Sequence, residues 1–320
     1  MSRHSGITAV LVLFIGLLGF QPTISAQQPN GATASGAGAG LSSADKAIAS
    51  AEAGHCQGNI SAIKRIMTGQ APAETRKRAG IVGLRCSLTL DDRDSAVDFI
   101  RLLSKQFGRD PDVLFVVVHA YSDLSTRTAQ DLARTAPQSV AAHKLNAEAL
   151  EMQGKWEPAQ LEYEGILKEN PNAPGIHFLL GRLLLSRPDG GPEAVDRAKQ
   201  EFEKELQIDP RNAGAEYILG EIARQASQWD EAIGHFSKAA NLDTSFGDAY
   251  MGLGFCLVTL KRYEEAIPPL RVAVRLEEKN PAAHYNLAVA LDRTGKKEEA
   301  EKEFAIQRQL TQSSTPGEGK

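Results

Sequence analysis

Residues Ala213–Phe246, AGAEYILGEIARQASQWDEAIGHFSKAANLDTSF, read as two short amphipathic helices joined by a turn near Ser227. The pattern recurs every 34 residues, in units spanning 140–173, 174–212, 213–246, 247–280 and 281–314, the second longer by five residues. An internal period of this size marks a stacked repeat, and it decides the fold before any single residue does.

The small residues fall in register. The eighth position holds Ala147, Gly181, Gly220, Gly254 and Ala288, and the twentieth, allowing for the insertion, Ala159, Ala198, Ala232, Ala266 and Ala300. Small side chains let two helix backbones approach closely where they cross. Around them stand Leu180, Leu219, Leu253 and Leu287 at position seven, with Asn146 the exception. Tyr163, Phe202, Phe236, Leu270 and Phe304 stand at position twenty-four. In the second helix these residues lie four apart and share a face, and in the first they stand side by side. One helix pair cannot bury that face alone, but stacked neighbours can. The expected fold is all-α: a right-handed superhelical solenoid of antiparallel helix pairs.

The pattern resembles the tetratricopeptide repeat family, through Leu180-Gly181, Leu219-Gly220 and Leu253-Gly254, the alanine that follows twelve residues on, and the Phe or Tyr four beyond it. Pro171 and Pro210 fill the unit-ending proline of that family, from which Thr244 and Glu278 depart. The likeness spans slightly over half the chain. It implies a groove, lined by first-helix positions two, five, nine, twelve and thirteen, that takes an extended peptide or a partner's helix. Position five reads Lys144, Phe178, Tyr217, Met251 and Tyr285, and position nine reads Glu148, Arg182, Glu221, Phe255 and Val289. Position twelve adds Arg224 and Asp292, and Asn286 stands at position six of the last unit. Aromatic, Met and Arg side chains are the types that dominate binding hot spots. One subfamily grips a terminal carboxylate with Lys and Asn at positions five and nine of its first repeat. Here Glu148 replaces that Asn, and Asn286 lacks basic partners, so a clamp of that kind is not expected.

The chain has 320 residues, 42% hydrophobic and 24% charged, with a net charge of −4. It shows no clustered basic footprint of the kind nucleic acid requires; Arg76-Lys77-Arg78 is the longest basic run and reads as a solvated helix face. Met1–Ala26 reads as a secretory signal: Arg3, the apolar run Gly6–Phe20, then Ile24-Ser25-Ala26 as a cleavage site. An uncleaved anchor in the inner membrane is the alternative. Residues 27–40 read as a flexible linker and 315–320 as a disordered polar tail. An exported protein, periplasmic or secreted, is expected. In that compartment Cys56 and Cys86, 30 residues apart, are candidates for a disulfide, the alternative being two buried thiols. Cys256 reads as an unpaired packing residue.

Residues 41–139 read as degenerate helical repeats continuing the stack, or as a separate helical domain. The expected helices are Ala44–His55, Asn59–Met67, Ala73–Thr89, Arg93–Phe107, Pro111–Leu124 and Thr126–Thr135, with Asp92 and Asp110 as N-caps. In the second unit Pro188, Gly190 and Gly191 break the first helix, and Pro192 opens a longer second one.

No phosphate-cradling glycine loop, HExxH or paired CxxC is present. His143, His177 and His284 share position four, but equivalent positions in stacked repeats lie too far apart to hold one zinc. Asp91, Asp92 and Asp94 read as a helix start favoured by the helix dipole. Trp156, Trp229 and Tyr263 share position seventeen and read as turn packing. The expectation is therefore an interaction scaffold for a protein or peptide partner, with no catalytic residue, cofactor, metal or nucleic acid, and with a homo-oligomer left open. Two other readings stand beside it. One is a carbohydrate- or peptidoglycan-contacting module that uses the turn aromatics. The other is an enzyme within 41–137 with Cys56 or Cys86 as a reactive thiol.

Overall fold

A computed structural model describes residues 42–314, which form fifteen α-helices and no strand. The signal, the linker and the 315–320 tail expected from the sequence lie outside the described residues. The chain divides into two compact units, 1–113 and 114–320, and residues 114–139 fall with the second.

The first unit holds α1 (Ser43–Glu52), α2 (Ile60–Thr68), α3 (Ala73–Thr89) and α4 (Arg93–Phe107). Ile48, Ile63, Leu84, Phe99 and Leu103 are fully buried between them. Each side chain of this size removed from water stabilises by about 1.5–3 kcal/mol. Gly83 makes the α3–α4 crossing possible, since a Cβ there would lie 2.4 Å from the Phe99 ring. α1 stops at Glu52, short of His55, because the chain turns at Gly54 with φ +92°. Asp92 caps α4 by accepting from the Ser95 amide at 3.0 Å. Asp110 accepts from the amides of Asp112 at 3.0 Å and Val113 at 3.2 Å.

The two helices expected over 111–135 are one, α5 (Pro111–Thr135). No Gly or Pro separates them. Thr126 and Thr128 return their hydroxyls to the carbonyls four residues back, and Arg127 bridges Asp123 at 2.9 Å. The polar run SDLSTRT, which suggested a break, satisfies itself within the helix.

From Val140 onward the helices come in pairs: α6 (Val140–Met152) with α7 (Trp156–Glu169), and α8 (Ile176–Ser186) with α9 (Gly191–Ile208). α10 (Ala213–Gln225) then pairs with α11 (Trp229–Leu242), α12 (Gly247–Thr259) with α13 (Tyr263–Leu276), and α14 (Pro281–Arg293) with α15 (Lys297–Ser314). Each second helix also packs on the first helix of the next pair, which makes the array a solenoid. The small crossings are filled from the partner helix. A Cβ on Gly220 would sit 2.8 Å from the Phe236 ring, one on Gly181 2.9 Å from Phe202, and one on Gly254 2.4 Å from Leu270.

The turn within a pair uses one conformation four times. Position fifteen is left-handed at Gly154, Ser227, Lys261 and Gly295. Only glycine takes that conformation without strain. Helix starts are capped by Ser139, Asn212 and Asn280. α8 has no such cap. Instead Glu205, fully buried near the end of α9, accepts from the amides of Gly175 at 2.8 Å and Phe178 at 3.2 Å. A carboxylate at a helix N-terminus is favoured both by the free amides and by the dipole. In the five-residue insertion Arg187 reaches back to Glu157 on α7 at 2.7 Å, which ties the longer turn to the preceding pair.

Candidate functional site

The first helices of successive pairs also meet directly, α10 with α12 and α12 with α14. Along them the expected groove residues differ in what they have free. Lys144 is exposed. Tyr285 is 51% exposed, its ring edge-on to Phe304 at 6.1 Å between centroids. Phe178 is half-buried against Phe202, and Met251 packs beside the core that includes Leu257 and Leu287. Tyr217 is half-buried with its ring 4.8 Å from Phe246 and 5.8 Å from Phe236, and burial pushes its phenol above the ordinary range.

The charged members are largely engaged by neighbouring side chains. Arg182 on α8 bonds Glu151 on α6 at 3.0 Å. Arg224 holds Glu221 at 2.7 Å while its guanidinium lies 5.7 Å from the Phe255 ring centroid, linking α10 to α12. Asp292 takes Lys297 at 2.6 Å. Glu148 is half-buried. Asn286 needs correcting: it is 7% exposed and its amide donates to the Ala282 carbonyl at 2.8 Å, so it serves its own helix and offers nothing to a groove. In its place stands Asp248, which the sequence did not single out. It is exposed on α12, and partial burial of its carboxyl, then the nearby Glu277 and Glu221, hold that carboxyl above the ordinary range.

The three histidines at position four each bond a glutamate at position twenty-three of the same unit. The pairs are His143–Glu162 at 2.6 Å, His177–Glu201 at 2.5 Å and His284–Glu303 at 2.5 Å. The second ring nitrogens of His177 and His284 face the carbonyls of Pro171 at 2.9 Å and Glu278 at 3.0 Å. These histidines tie helix to helix. The signal was present in the sequence as a His and a Glu nineteen apart, or twenty-four across the insertion.

Trp156, Trp229 and Tyr263 are half-buried and pack against the cores beneath their turns, so they form no open aromatic platform. Cys56 and Cys86 are joined as a disulfide with Cα atoms 5.1 Å apart, so neither offers a free thiol for chemistry. Cys256 is fully buried, and burial pushes its thiol up to about 11. Among the described residues no group of three or more His, Cys, Asp or Glu side chains could hold a metal ion. No helix among them is long and apolar enough to cross a membrane.

The tetratricopeptide repeat family profile matches residues 192–246 and 257–309. Tetratricopeptide repeat-containing protein trd-1 of Caenorhabditis elegans is 24% identical over 148 residues, 46% of this chain and 18% of that protein. BBSome complex member BBS4 of Bos taurus is 34% identical over 84 residues, 26% of this chain and 16% of that one. The chain thus spans less than a fifth of the length of these curated relatives. Among solved structures, YrrB, described as a TPR protein with an unusual peptide-binding site, aligns with a TM-score of 0.49 at 19% identity, covering 58% of this chain and 93% of its own. A MamA structure aligns at 0.47 and 21% identity, covering 57% and 96%.

Proposed function

We propose that the chain is an exported scaffold that binds a peptide or helix of a protein partner along the inner face formed by its first helices. The observation that carries this reading is the position-five series, Lys144, Phe178, Tyr217, Met251 and Tyr285, one side chain per helix pair. Its two ends are exposed, and its middle members pack beside the cores while remaining half-accessible. A row of this kind on neighbouring helices offers a chain of side-chain pockets at regular spacing. Apolar residues left on such a surface are stabilised when a partner covers them. Asp248 and Glu148 give the strip a surplus of negative charge, while Arg182, Arg224 and Asp292 are held by internal partners. Export is supported by the apolar run Gly6–Phe20 and by the Cys56–Cys86 bond, which an oxidising compartment preserves.

The reading is tested by recovering partners from the native host with the wild-type chain and with Tyr285→Ala combined with Asp248→Lys. Loss of one specific partner, with the melting temperature not lowered, supports groove binding; equal recovery contradicts it. Fractionation of the host tests export, since a chain retained in the cytoplasm with Met1 intact opposes it.

A further inference from the structure

α6 is unlike the other first helices in what covers it. Position three is buried at Ile176, Ala215, Ala249 and Ala283, yet Ala142 is only half-buried. Position seven is buried at Leu180, Leu219 and Leu287, whereas Asn146 is exposed. In the later pairs the second helix of the preceding pair supplies that cover. Before α6 stands the C-terminal half of α5, and the two leave a groove of about 540 Å³ between them. Its walls are Ala129, Ala133 and Pro137 on one side and Ala142, Leu145 and Ala149 on the other, with Leu145 39% exposed.

The same helix carries an apolar ridge further toward its N-terminus. Leu114, Phe115, Val118 and Tyr121 are 48%, 65%, 63% and 58% exposed, while Val117 and Ala120 on the opposite side are buried. Residues 115, 118, 122, 126, 129 and 133 lie three or four apart, so Phe115 and Val118 share a face with the α5 wall of the groove, and Leu114 and Tyr121 flank it. That face is about 27 Å long at 1.5 Å per residue.

We infer that this face is a homodimer interface, in which α5 of one copy lies antiparallel on α5 of a second, each ridge seated in the other's groove. The match follows from the order along the helix. The ridge is centred near residue 118 and the groove near 131, so a two-fold axis close to Ser125 brings each onto the other at once. Such a contact is self-complementary and closes at two copies. Aromatic side chains offer about 150–250 Å² each and Leu and Val somewhat less, so at their fractional exposures the ridge and Leu145 together present roughly 500 Å² per copy. A symmetric pair would bury about 1,000 Å² before any polar atom is counted, the lower bound for a specific interface. The α5 ridge contains none of the inner-face residues proposed to bind a partner, and the α6 wall adjoins Lys144 and Glu148 alone among them, so either reading can fail without the other.

Sedimentation velocity on the chain as purified from its host, from about 1 to about 100 µM, reads the association directly. The expected result is a dimer for wild type and for Leu276→Glu, an exposed apolar position on α13. Phe115→Glu with Val118→Glu, and separately Leu145→Glu, should raise the dissociation constant by at least about tenfold. These side chains are exposed, so the fold should survive, and circular dichroism checks that it does. Ser125→Cys, exposed near the axis, should form a covalent dimer on oxidation. A wild type that stays monomeric throughout overturns the proposal, as does a dimer that ignores the α5 and α6 substitutions. A groove protected from hydrogen exchange in a monomer also overturns it, by giving the groove another occupant.

Discussion

Glu216 on α10 and His235 on α11 meet at 2.6 Å, the mirror image of the His–Glu pairs in the first, second and fifth repeats. There the first helix carries the imidazole and the second the carboxylate; here the two have changed places. Tyr250 and Pro269 stand at the same positions in the fourth repeat, where the Tyr250 hydroxyl bonds the Ala240 carbonyl at 3.2 Å instead. In four of the five repeats what is kept is a polar bridge between the two helices, not a residue at either end; in the fourth, Tyr250 reaches instead to α11 of the preceding repeat.

That bridge makes a prediction of compensation. Glu216 is 5% exposed, so Glu216→Ala leaves His235 without its carboxylate and should cost about 1.5–3 kcal/mol, the range for hydrogen bonds to charged groups. The exchange Glu216→His with His235→Glu should recover most of that loss. Urea denaturation of the single and double variants measures both, and a double variant no more stable than the single ones would show that the bridge depends on its local setting.

The left-handed turn predicts a gain. Ser227 and Lys261 sit at φ +60° and +61° where Gly154 and Gly295 occupy the same place in other repeats. A side chain in that conformation costs about 1–2 kcal/mol, part of which glycine gives back as lost chain entropy. Lys261→Gly should therefore stabilise by about 0.5–1 kcal/mol, and Gly154→Ala should destabilise by about 1 kcal/mol. Differential scanning calorimetry reads the two in opposite directions.

Asp248 predicts a pH dependence. Its carboxyl is held high by partial burial and by Glu277 and Glu221. A carboxyl raised on folding binds its proton more tightly in the folded chain. Its contribution is therefore present below the unfolded value and lost as the pH rises through the folded one. Asp248→Asn should raise the melting temperature at neutral pH and leave it unchanged near pH 3, where both forms are uncharged.

The cysteines predict a thiol count. Without reductant the native chain should give no fast reaction with a thiol reagent, because Cys256 is buried and its thiol is pushed up to about 11. Denaturant should release one thiol, and denaturant with reductant two more. Removing the Cys56–Cys86 bond, which closes a loop of 30 residues, should cost about 2–4 kcal/mol.

The repeats were legible because their constraint is steric and recurs. Gly181, Gly220 and Gly254 each face a ring or a leucine from the second helix, and a spacing that must be kept in every unit shows itself in one sequence. The continuity of α5 was not legible. Its polar middle looks like a turn until the threonine hydroxyls are seen to bond within the helix. Glu205 was missed because it acts on a helix 30 residues away and occurs in one unit only. Asn286 was misassigned because position six can turn toward a neighbour or back on its own helix, and no local pattern distinguishes the two. The charged groove residues were found, but which of them are held by internal partners is a matter of distance, as with Arg182 and Glu151.

The most direct test of the inner-face reading is site-specific photocrosslinking in the living host. A photoreactive residue is placed in turn at Lys144, Arg182 and Tyr285, exposed on first helices, and at Gly234, exposed on a second helix with open space around its Cα. The account predicts one shared crosslinked protein from the three first-helix positions and none of it from Gly234. The same adduct from Gly234 at equal yield, or three unrelated adducts from the first helices, would contradict it.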